Sequence, residues 1–143
     1  MDNYSENDIL NSIDEFLKNV DISLSELEKA GTIFIIFGYS NLFYSADLDI
    51  LETKGINNTN ILPSESTFKG QQFVVLGYIL LWIVATKRLQ QIEKKNKYKK
   101  DKKSVSPYQL VANAYLVSDF ANLSRLNAFN EINTIEKSNE SMD

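Results

Sequence analysis

The chain contains no cysteine and no histidine among its 143 residues, and only two prolines and five glycines. Without cysteine there is no disulfide framework, thiol nucleophile or thiolate metal site, and redox chemistry says nothing of the compartment. Without histidine the common zinc sites and an imidazole general base are excluded. Catalysis would fall to carboxylates, Lys or Tyr, and a metal would need an all-oxygen site. The isolated glycines form no phosphate-cradling loop. Asp47 and Asp49 alternate as in part of a calcium loop, but the rest of that loop is missing. Catalytic residues, cofactor-binding residues and metal ligands are therefore expected to be none, and the chain is read as a non-enzyme. Scarce proline and glycine also argue against a turn-rich sandwich or barrel and for long continuous elements.

What is present is apolar surface and unevenly placed charge. Hydrophobic residues make up 43% and charged residues 24%, a balance that suits one folded domain over 1–143. The formal charge of −4 hides an asymmetry: residues 1–30 hold eight acids and two lysines, whereas 87–103 hold nine basic residues against Glu93 and Asp101. No basic stretch followed by an apolar run opens the chain, so no secretory signal is expected.

Hydrophobic spacing predicts an all-α, four-helix arrangement. Ile9, Ile13, Phe16, Leu17 and Val20 recur at threes and fours and form a first amphipathic helix, with Ser5 placed to cap it. Ser23 followed by Glu26 has the form of a capping box and marks the start of a second helix. That helix carries the charge-free run 31–46, GTIFIIFGYSNLFYSA. A polar connection, 47–69, leads to a third helix from Gly70 or Gln71 through the charge-free run 70–86 and on into the lysine-rich block. Ser106 before Pro107 starts the fourth helix, read as 107–136. Its apolar residues Leu110, Val111, Ala114, Val117, Ala121, Leu123, Leu126, Phe129, Ile132 and Ile135 form a broad apolar stripe that a neighbour must cover. Asp119 is expected on the hydrated side, since a buried carboxylate would demand a donor. Residues 1–6 and 138–143 are read as flexible termini.

The runs 31–46 and 70–86 admit two readings. As a transmembrane hairpin they are short, because a span needs about 20 apolar residues. The basic flank beyond Lys87 nevertheless suits the cytoplasmic side of such a hairpin. As core helices of a soluble cytoplasmic bundle, they would be covered by the first and fourth helices. The sequence favours the membrane by a small margin. Gly38, Ser45 and Gly77 are small residues that allow a neighbouring helix close approach. Lys94, Lys95, Lys97, Lys99, Lys100, Lys102 and Lys103 form a solvated helix end or a contact for anionic lipid or another polyanion. Nucleic acid is disfavoured, because no arginine stands ready for bidentate base recognition and the remainder of the chain is acidic. The expected function is a small helical membrane-associated protein acting through helix–helix contacts, in an envelope, pore or accessory assembly. Its partner is itself or another helical protein, and no small-molecule substrate is indicated. The alternative is a soluble four-helix adaptor or structural interaction protein.

Overall fold

The computed structural model describes residues 6–98 and 102–140. It contains three helices, α1 (Glu6–Thr53), α2 (Pro63–Tyr98) and α3 (Ser106–Glu140). This corrects the four-helix expectation: the first two predicted helices are one uninterrupted element of 48 residues, about 72 Å long. The Ser23–Glu26 signature does not cap anything. Ser23 Oγ donates to the carbonyl of Asn19 at 3.1 Å, and Ser25 Oγ to that of Asp21 at 3.0 Å. Both hydroxyls thus bond back one turn within a continuing helix. No proline or glycine lies between Glu6 and Ala30 to stop it. Of the residues read as termini, Glu6 and 138–140 are helical. The rest of those termini, and the cap at Ser5, lie outside the described residues.

The connection between α1 and α2 is also shorter than 47–69. Helix α1 ends in a Schellman motif around Gly55, whose φ is 69°. Ile56 N–H reaches Leu51 O at 3.0 Å and Gly55 N–H reaches Glu52 O at 2.8 Å. Asn57 Oδ1 then accepts from Thr59 N–H at 3.1 Å, closing an Asx turn. Pro63 opens α2, where its missing N–H is no loss. At the far end, Asn96 clasps the next connection: its Nδ2 donates to Lys103 O at 2.7 Å and its Oδ1 accepts from Lys103 N–H at 2.9 Å.

Helix α2 is the middle element: α1 and α3 each pack along it, and among the described residues the backbones of α1 and α3 do not approach one another closely. Successive helices run in opposite directions. The α1–α2 seam is built on small residues at seven-residue steps: Gly31, Gly38 and Ser45 on α1 meet Gly77, Gly70 and Pro63 on α2. A Cβ added at Gly77 would stand 2.6 Å from Gly31 O, and one added at Gly70 would stand 2.8 Å from Gly38 O. Only glycine lets the two backbones come this close. Ser45 Oγ donates to Pro63 O at 2.7 Å and completes the series. The same steps reach buried Leu24 on α1 and buried Val84 on α2. Val74, Val75, Leu81, Ala85 and Ile92 place the apolar core on α2 itself.

Candidate functional site

The α2–α3 seam is polar. Gln71 is fully buried and its Nε2 donates to Asn122 O at 3.0 Å and Asn122 Oδ1 at 3.1 Å. Ser64 Oγ donates to Asn133 Oδ1 at 3.3 Å. Tyr78 and Tyr115 meet with ring centroids 6.3 Å apart. Asp119, expected on the hydrated side, is instead buried. Its Oδ1 has no hydrogen-bond partner, and burial pushes its carboxyl above the usual carboxylate range.

Because α3 turns Ala112, Asp119, Asn122 and Asn133 towards α2, its apolar residues face outwards. At about 100° per residue, Leu110, Ala114, Val117, Ala121, Ser124, Ala128 and Ile135 share one stripe on the side away from α2. All seven are exposed, Leu110 to 71% and Val117 to 68%. The broad apolar stripe read from the sequence exists, then, but most of it points away from the core. Leu126 and Phe129 are the members that remain half-buried. Helix α1 repeats the pattern over its charge-free run, where Ile33, Ile36, Phe37, Phe43 and Tyr44 are exposed. Phe43, at 73%, borders a shallow depression shared with Ile36 and Ser40.

The small residues singled out from the sequence, Gly38, Ser45 and Gly77, all stand in the α1–α2 seam. They join two helices of one chain there. Their companions Gly31 and Gly70 carry the same signal in the sequence, two glycines seven residues apart on each helix.

The lysines take varied positions. Lys94, Lys97, Lys102 and Lys103 are exposed, and Lys95 is half-buried. Lys99 and Lys100 lie outside the described residues. Lys95 borders an open groove along α1 whose other charged walls are Asp14, Lys18, Asp21, Glu26 and Lys29. The basic end of α2 therefore lies beside the acidic part of α1, and Arg88 Nη2 pairs with Glu28 Oε2 at 2.6 Å. A cleft of 220 Å³ next to that pair is lined by Leu81, Val84, Ala85, Val111 and Tyr115. Its arginine and glutamate engage each other, which leaves the cleft without a free charge for recognising a ligand.

Among the described residues no group of three or more carboxylates comes together to hold a metal ion. Among the described residues only α2, over Pro63–Lys97, is long and apolar enough to cross a membrane. The second arm of the expected transmembrane hairpin is thus missing by that measure, since α1 carries charges on both sides of its short apolar run. Comparison with protein families, with characterised proteins and with solved structures gives no match.

Proposed function

We propose that this chain is a non-catalytic helical interaction protein whose outward apolar faces on α1 and α3 are covered by helices of a partner. The observation that carries this reading is the inversion of polarity. Gln71, Asn122, Asn133 and Asp119 are buried, while Phe43, Leu110, Val117 and Phe120 are in the open. Leaving a large apolar side chain wet forgoes about 1.5–3 kcal/mol relative to burying it. Contiguous patches of such residues mark interaction surfaces. The exposed surface is also large, as three long helices packed in a row make it. A compact monomer of 16.3 kDa exposes about 7,500 Å², whereas this chain exposes 10455 Å². The test is to purify the protein without detergent and measure its native mass. It is expected as a soluble assembly heavier than one chain; a stable detergent-free monomer would refute the reading.

A second reading, membrane association through α2, has its own support. The most apolar window of α2 has a mean hydropathy of 1.5 and is 44% buried. A soluble core helix is ordinarily covered on most sides. Lys87 and Arg88 close the window as interfacial anchors would. Flotation with liposomes and resistance to alkaline extraction would favour this second reading over the first.

A further inference from the structure

We infer that α3 is a pH-released arm: ionisation of the buried Asp119 loosens the α2–α3 seam while the α1–α2 pair stays closed. The inference does not depend on what covers the outward faces; it concerns how α3 is held from within. The inner line of α3 advances in alternating steps of four and three from Tyr108 to Glu136, and all its members are buried or half-buried. Among the described residues of α3, only Ala112, Asp119, Asn122 and Asn133 are buried. Three of those four are polar, so apolar burial holds this helix weakly.

Asp119 lies between two contacts that fix the register, Tyr78 with Tyr115 and Gln71 with Asn122. In an antiparallel pair this sets it level with Val74 and Val75, both buried. Gln71 spends its amide donor on Asn122, and its Oε1, like Asp119 Oδ1, has no partner. The seam is therefore short of donors. Protonated, Asp119 adds one; ionised, it adds a charge that none of the ion pairs among the described residues engages. Its titratable neighbours are Tyr115 along α3 and Tyr78 on α2, with Tyr39 of α1 beyond Tyr78. Burial pushes the Tyr78 hydroxyl above its ordinary value, so it stays neutral, and Arg125 is exposed. Further along the seam Glu65 pairs with Lys69 and Lys137. Those lysines lower its carboxyl, Lys69 the more. Its contribution is present above the unfolded pKa and lost as pH falls, a sign opposite to that of Asp119.

The α1–α2 pair has no such group at its closest points, where glycine backbones meet. An undocked α3 remains tied at its start, because Asn96 binds both backbone groups of Lys103. Opening of one such unit ahead of the rest is ordinary behaviour for a folded chain. The experiment is amide exchange of the full chain, read by mass spectrometry at about pH 5 and about pH 7.5 and corrected for the intrinsic pH dependence of exchange. Protection over 106–140 should fall about threefold or more between the two, while protection over 31–45 holds. Asp119→Asn, which keeps the shape and removes the charge, should abolish the fall, and so should Asp119→Ser. No fall in the wild type would overturn the inference. An equal fall in all three helices would also overturn it, with or without a folded variant, and so would a fall that persists in the neutral variants.

Discussion

At the scale of single residues, the close approach of α1 and α2 depends on atoms that are absent. Gly77→Ala would push a methyl carbon to 2.6 Å from Gly31 O and 2.6 Å from Ile35 Cγ1. Helix propensity favours Ala over Gly by about 1 kcal/mol, but overpacking a tight seam costs about 1–3 kcal/mol. Backbone on one side cannot yield, so net destabilisation is expected, seen as a lower midpoint in chemical denaturation. Asp119 acts through pH. Its folded-state pKa is raised by burial, so the acid form is the one the fold accepts. The stability tied to this group is complete below the unfolded carboxylate pKa of about 3.9. It is lost as pH climbs through the raised value, where the folded state must ionise a desolvated group. Asp119→Asn should flatten that part of the stability–pH curve and make the protein more stable at neutral pH. Denaturation midpoints of wild type and variant across pH 3–8 check it; parallel curves would contradict it. The sequence showed Asp119 as a charge in an uncharged stretch. It did not show its direction, because that depends on which face of α3 meets α2.

At the scale of elements, the sequence was clearest where a signal is local and has no competitor. Ser106–Pro107 marked the start of α3, and the charge-free run 70–86 marked the centre of α2. The Ser23–Glu26 pattern misled because a cap competes with continuing the i→i−4 ladder. With no proline or glycine on either side to break it, the ladder wins and the serine hydroxyls bond backwards. The start of α2 was placed too late because Pro63 reads as a breaker in a polar segment, although proline is favoured in a first turn. Continuity of α1 is testable. Ser23→Pro would remove one backbone hydrogen bond and clash with the preceding turn, costing about 3 kcal/mol. The expected outcome is faster amide exchange over the residues preceding Ser23, with the glycine seam from Gly31 to Ser45 still protected. Uniform loss of protection would show that the residues before Ser23 and the α1–α2 glycine seam fold as one unit.

At the scale of the whole molecule, the described residues form three long helices in up–down–up order, with α2 flanked by two neighbours and each outer helix by one. The periodicity of α3 announced an apolar stripe, and ordinary soluble logic turned that stripe inwards. Yet α3 has two stripes, and the polar one carries Asn122, which hydrogen-bonds Gln71, and Asn133, which hydrogen-bonds Ser64. Amphipathic spacing gives the faces of a helix without saying which neighbour each one meets. The glycines told more: a pair seven apart on each of two helices is a matched set, legible once the two helices are taken as antiparallel neighbours. The acidic α1 and the basic end of α2 were likewise legible as opposites in the chain, and they lie side by side in the fold.

The central claim is that the outward faces of α1 and α3 are covered in the working protein. Carbene footprinting of the native protein at cellular concentration, read residue by residue by mass spectrometry, tests it most directly. Leu110, Val117 and Phe43, each more than two-thirds exposed in the single chain, should label far more slowly than their exposure implies. Labelling of all three at the rate of fully solvated side chains would contradict the account.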